Sequence, residues 1–112
     1  MINYYIKNSL LYINGNEIQL DYKVAESISL NEFVIVRVIP PTKIKFNRNI
    51  FAFNSDGSLK WQIKESPHGG DSDKPFMGLH TSGNDVIASN WLGIDYKINI
   101  NNGEIDAIKF TR

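Results

Sequence analysis

Two histidines, His68 and His80, are the side chains in this sequence best suited to moving protons near neutral pH. Paired with a lysine such as Lys64 or Lys74, they are the minimum from which an acid–base nuclease or small hydrolase could be built. The plainer reading is a solvated loop histidine at 68 and a surface strand histidine at 80. A second candidate is Asp71-Ser72-Asp73 after Gly69-Gly70, which has the start of a calcium loop. It lacks the further oxygen ligands and the closing bidentate glutamate that such a loop needs, so no metal is expected there. Nucleophilic and cofactor chemistry find less support. There is no Gly-x-Ser-x-Gly elbow, no Gly-x-Gly-x-x-Gly and no Walker loop. The absence of cysteine excludes disulfides, thiolate zinc sites and a cysteine nucleophile. No catalytic residue, metal or cofactor is therefore assigned from the sequence.

What remains is chemistry suited to recognition. Arg37, Lys43, Lys45 and Arg48 form a basic stretch with no acid among them; Glu65, Asp71 and Asp73 form an acidic stretch with no base. Ordinary solvated loops would look the same. The functional reading is an acidic, glycine-hinged loop offered to a basic partner. The residues from Glu65 to Pro75 run longer than a hairpin connection of about two to five residues, and they lack apolar side chains to tie them down. Asp85, Asp95 and Glu104 are weaker acidic candidates, in turns or on a wet strand face. Trp61, in phase with Leu59 and Ile63, reads as core. Trp91 after Ser89-Asn90 reads as core or as a half-exposed interface anchor, a role in which tryptophan is enriched. A sugar-stacking platform is a third use for it.

The elements that must position these groups are strands. Ile, Val, Phe, Tyr, Trp and Thr abound while alanine is scarce, and Asn-Gly, Asp-Gly and Ser-Gly turns recur between short apolar runs. Residues 2–20 read as two or three short strands, with a type I′ hairpin turn at Asn14-Gly15. Residues 22–31 are open between a strand and a short helical turn. Phe33 to Ile39 is dense in β-branched residues, as in a central strand buried on both faces, and Pro40-Pro41 stops it. Further strands are expected over 49–54, 59–64, 76–81, 86–90, 93–100 and 104–110. The segments Ile50 to Trp61 and Ile94 to Ile105 echo each other as strand, turn, strand, and read as neighbouring hairpins of one sheet.

With 112 residues, 42% of them hydrophobic, the chain makes one domain with a modest core, spanning 1–112. That core should include Phe33, Ile35, Val36, Val38, Phe51, Phe53, Leu59, Trp61, Ile63, Ile87, Tyr96, Ile98 and Ile108. The expected fold is all-β: an antiparallel sheet built from consecutive hairpins and curled into a sandwich or half-barrel. The formal net charge is zero, which argues against binding nucleic acid directly through overall positive charge. No apolar run reaches membrane-spanning length, and Met1 to Lys7 lacks a secretory layout. The expectation is a cytoplasmic protein.

Three stretches are distinctive together: Val34-Ile-Val-Arg-Val-Ile-Pro-Pro41, Asn49-Ile-Phe-Ala-Phe-Asn-Ser-Asp-Gly-Ser-Leu-Lys-Trp-Gln-Ile63, and Ala88-Ser-Asn-Trp-Leu-Gly-Ile-Asp-Tyr-Lys-Ile-Asn-Ile-Asn-Asn-Gly-Glu-Ile105. Over roughly residues 32–110 the chain resembles small all-β bacterial immunity proteins of contact-dependent growth inhibition and related polymorphic toxin systems. The Asp-Gly-x-Leu-x-Trp hairpin is also similar to one in quinoprotein-type propellers, but 112 residues cannot supply the four or more blades that a propeller needs. The immunity resemblance implies an inhibitor with no turnover of its own. Its partner would be a cognate toxin domain, a basic nuclease in many such systems, whose active site or substrate groove it covers. Partner-binding residues are then expected at Glu65, His68, Asp71, Asp73, Asp85 and Trp91. The rival readings are a hydrolase or nuclease using His68 or His80, and a small-ligand or carbohydrate-binding module using Trp91.

Overall fold

A computed structural model describes residues 2–68, 70 and 73–110, with side chains to residue 108. Among these residues there is no helix, and so none long and apolar enough to cross a membrane. The described residues form eleven strands in three antiparallel meanders. The first joins β1 (Tyr4–Lys7), β2 (Leu10–Ile13) and β3 (Asn16–Gln19). The second joins β4 (Lys23–Ser29), β5 (Phe33–Ile39), β6 (Ile50–Asn54) and β7 (Leu59–Gln62). The third joins β8 (Phe76–Ser82), β9 (Asp85–Asn90), β10 (Ile94–Ile98) and β11 (Ile105–Phe110). Every pairing is between consecutive strands, as expected of a chain built from hairpins. At the first clear hairpin, Asn14 and Gly15 have φ of 48° and 86°. Both central positions are left-handed, which a type I′ turn requires and which Asn and Gly tolerate best.

The sheets stack as layers, with the second sheet in the middle. Val34, Val36 and Val38 of β5 face Leu11, Ile13 and Leu20 of the first sheet and its exit. Ile35, with Ile50, Ala52, Trp61 and Ile63, faces Phe76, Leu79, Ala88, Ile94 and Tyr96 of the third. A strand buried on both faces cannot alternate apolar with polar, which is why residues 33–39 are almost continuously aliphatic. Arg37 is the exception. Its Nε lies 2.6 Å from Glu26 Oε1 and its Nη1 donates to the Phe76 carbonyl, so its charge is paired where the middle and third sheets meet. The ambiguous stretch 22–31 is strand β4, paired with β5.

Two expected core residues lie outside the core, each because a β-bulge changes the strand phase. Phe53 pairs with Leu59 but Ala52 pairs with Trp61, so Lys60 is an extra residue. Trp61 and Ile63 keep the inward phase, while Leu59 turns to the opposite face and is 53% exposed. On β11 the register slips between Asp95↔Lys109 and Tyr96↔Ala107, leaving Ile108 as the extra residue, 51% exposed. A one-residue insertion reverses every side chain beyond it, and no residue type announces it. The two echoing hairpins are not neighbours in one sheet. They lie in the middle and third sheets and meet through the core, where Trp61 Nε1 donates to the Ile100 carbonyl at 2.8 Å.

The segment 63–75 is a crossover between layers. It leaves β7 at one edge of the middle sheet and enters β8, which packs near β4 and β5 towards the other edge, so it crosses both the ~10 Å between packed sheets and two or more strand spacings of ~4.8 Å. It is tied down by polar side chains instead of apolar ones. Arg48 donates to the Ile63 carbonyl, Asn47 Oδ1 accepts from the Lys74 amide at 2.7 Å, and Lys74 is buried.

Candidate functional site

The densest convergence of chemistry-bearing side chains lies beneath this crossover. Strand alternation turns Tyr96 of β10 inward, where its ring packs edge-on against Phe76 at 5.9 Å. Its hydroxyl lies 2.6 Å from Ser66 Oγ, 2.8 Å from His68 Nδ1 and 3.2 Å from Asn90 Nδ2. Asn90 closes β9, and its Oδ1 accepts from the amides of Leu92 and Ile94, shaping the turn that carries Trp91. Asn90 Nδ2 donates to the Tyr96 hydroxyl, and the direction of the bonds with Ser66 and His68 follows from the serine rotor and the histidine tautomer. Ser66 and Tyr96 are both buried, so no substrate reaches the serine oxygen. The cluster closes one end of the core and fastens the crossover to β9 and β10.

Burial pushes the Tyr96 phenol above its ordinary value, partly opposed by its hydrogen bond with Ser66. A raised folded-state value means that the folded protein holds this proton more tightly than the unfolded chain. The contribution is fully present below the ordinary phenol value of 10.0 and is lost as pH rises through the higher folded value. Tyr96→Phe should therefore cost about 1–3 kcal/mol at neutral pH, the price of leaving Ser66, His68 and Asn90 without their shared partner. It should also remove part of the alkaline loss of stability. Thermal melts of both proteins between pH 7 and 11 measure this, and parallel curves would show that the phenol plays no such part.

The expected site residues are spread out. Glu65 faces its own chain: its Oε2 accepts from Asn47 Nδ2 at 3.2 Å and lies 3.6 Å from Lys74 Nζ. Its cation is thus Lys74, just past the acidic stretch, and it touches the basic stretch at the neutral Asn47. His68 is half-buried against Tyr96. Asp71 lies outside the described residues, and Asp73 is exposed. Trp91 is 51% exposed beside Asn90, whereas Asp85 sits at the far end of β9, on the order of 17 Å along the strand, paired with Lys97 at 3.4 Å. Asp95, expected on a wet face, is buried and accepts from Ser89 Oγ at 2.6 Å. His80 is exposed on β8, four residues beyond Phe76, so the strand carries it roughly 13 Å from the end where His68 is held. The histidines do not form a pair, and Lys74 is engaged by Glu65. Among the described residues no three His, Asp or Glu side chains form a set that could hold a metal ion.

Sequence reasoning missed an apolar groove of about 350 Å³ between the segment after β5 and the start of β8. Its walls are Ile39, Pro40, Pro41 and Ile44 on one side, and Asp73, Pro75 and Met77 on the other. Ile39 is 50% exposed, Ile44 45% and Met77 57%, so three of the large exposed apolar side chains of the described residues share one groove. Met77 is turned out by a third bulge, between Phe76 and Gly78, which the sequence marks only by its glycine. A larger cleft, about 700 Å³, opens at the β4–β5 and β6–β7 turns. It is lined evenly by polar and apolar groups, and Lys60 Nζ occupies the face of Phe33 at 5.0 Å.

The profile of a family described as Domain of unknown function (DUF7957) matches residues 1–110. The chain belongs to that family. No curated protein matches it. The match begins before β1 and ends with β11, so all three sheets of this DUF7957 chain, its crossover and its groove fall within the family's unit.

Proposed function

We propose that this DUF7957 chain acts by binding, as a cytoplasmic immunity protein that neutralises a cognate toxin domain and has no turnover of its own. The observation that carries the reading is the groove: exposed Ile39, Ile44 and Met77 surround an apolar trough with the exposed carboxylate of Asp73 on its wall. Clustered exposed apolar side chains beside a charged rim are what a protein-binding face needs. The resemblance of residues 32–110 to immunity proteins of polymorphic toxin systems supplies the class of partner. Ser66 is buried against Tyr96 and His80 lies along β8 away from His68, so among the described residues no histidine pair and no accessible serine stands beside His68, in keeping with a binding role. A nuclease toxin, whose groove is basic because it receives phosphate, would suit an acidic contact such as Asp73.

The test is a toxin domain encoded immediately upstream of this chain's own reading frame. Mixed with it, the purified protein should form a one-to-one complex and abolish the domain's activity. The isolated protein should show no nuclease activity that His68→Ala or His80→Ala removes. Histidine-dependent turnover, or a toxin left fully active in the presence of excess protein, would refute the reading.

A further inference from the structure

We propose that the groove between residues 39–44 and 73–77 is the contact face, and that it takes a protruding aliphatic or aromatic side chain flanked by an arginine or lysine of the partner. The inference rests on the binding reading for its class of partner, and adds the chemistry of the group that the groove takes. The polar groups at the groove's floor are already engaged. Asn49 bonds to the Phe76 amide and carbonyl, and Arg37 is held by Glu26 and the same carbonyl. Nothing there asks for a polar ligand, so the trough selects an apolar side chain by exclusion of water. Met77 and the two prolines suit such a role. The thioether adapts its shape to what enters, and prolines present apolar surface with no amide donors to desolvate.

Among the described residues that line the groove, one carries an unpaired charge. Of the charged side chains that line the groove, Arg37 is neutralised by Glu26, while Asp73 is exposed and makes no ion pair among the described residues. Thr42 and Ile44 line the groove and the intervening Lys43 does not. An apolar trough with a free carboxylate at its wall is complementary to an apolar side chain next to a cation. This differs from the reading of the acidic stretch as a whole, because Glu65 is turned to Asn47 and Lys74 of its own chain.

The groove can be probed without any toxin, by panning a random heptapeptide phage library on the immobilised full-length protein. Selected peptides should carry a large apolar residue beside Arg or Lys. Their synthetic versions should bind at least tenfold more weakly to Met77→Glu and to Ile44→Glu. Asp73→Lys should reverse the preference, enriching acidic residues beside the same apolar anchor, while Lys43→Glu should bind as the wild type does. All four positions are exposed, so thermal melts should confirm intact folding. Peptides that bind the Met77→Glu and Asp73→Lys proteins undiminished, or a library that yields no apolar–basic motif, would overturn the proposal. So would a wild-type dimer in sedimentation that Met77→Glu converts to monomer, because a second copy would then be the occupant. A toxin neutralised equally by Met77→Glu would place the contact elsewhere, near Trp91, and leave the immunity reading standing. Apolar–basic peptides selected as expected, with the upstream toxin left unbound, would uphold the groove and sink the choice of partner.

Discussion

Trp61→Ala is expected to leave little folded protein at 37 °C. The indole is buried against the third sheet, and its Nε1 donates to the Ile100 carbonyl at 2.8 Å. Truncation removes the largest side chain of the core and opens a cavity, at a cost of about 3–5 kcal/mol. That is much of the roughly 5–15 kcal/mol by which such domains are stable. The β10–β11 turn amplifies the effect because it is folded onto the same ring. Gly103 has φ of +81°, and a Cβ built there would lie 2.8 Å from Trp61 Cε3. Gly103→Ala therefore meets left-handed backbone strain and a clash together, and should destabilise in the same direction. Chemical denaturation of both variants measures this. A Trp61→Ala midpoint equal to wild type would mean that the inward phase of Trp61 is misplaced.

The second large effect is expected from a residue that sequence patterning passes over. Asn49 is fully buried just before β6. Its Nδ2 donates to the carbonyls of Val38 and Phe76 at 2.9 Å each, and its Oδ1 accepts from the Phe76 amide at 2.8 Å. One amide side chain thus joins the middle sheet to the first residue of the third. Asn49→Ala orphans at least the Phe76 amide and the Val38 carbonyl, at about 1–3 kcal/mol for each buried group. Asn49→Asp should fare no better, since a carboxylate cannot donate to the two carbonyls and would bury a charge. The expected result for either is a fall in melting temperature of roughly 10 °C or more, with faster amide exchange at Phe76 than in the body of β9. An unchanged melting temperature in both would show that the sheets are held together without this stitch.

The strands were legible in the sequence wherever the pattern was local. Asn14-Gly15 marked its own turn, because left-handed φ at two successive positions selects those residues. The aliphatic run 33–39 marked a strand with no solvent face, and Ile94, Tyr96 and Ile98 marked the apolar face of another, whose opposite face is wet at Lys97 but not at Asp95. The phase of Leu59 and of Ile108 was not legible. A bulge is decided by how two strands fit each other, and each strand alone is consistent with either phase. The crossover was visible as a long polar loop, but its purpose was hidden. Its partners Asn47, Asn90 and Tyr96 lie far from it in sequence, so its hydrogen bonds leave no local signature.

The candidate site divides in the same way. Composition alone determined an all-β chain without thiol chemistry, because those are properties of residue types and of spacing over a few positions. Asp73 was legible as an exposed candidate, because polar turns lie at the surface, whereas Trp91 read as core or as a half-exposed anchor and only the structure leaves it 51% exposed. The groove was not. Ile39 ends one strand, Ile44 lies in the loop after it and Met77 sits in a bulge, and only the stacking of the third sheet on the second brings them to one trough. Tertiary structure likewise decided that Glu65 faces its own chain while Asp73 does not. Pairing of charges depends on distance through space, and the sequence orders residues only along the chain.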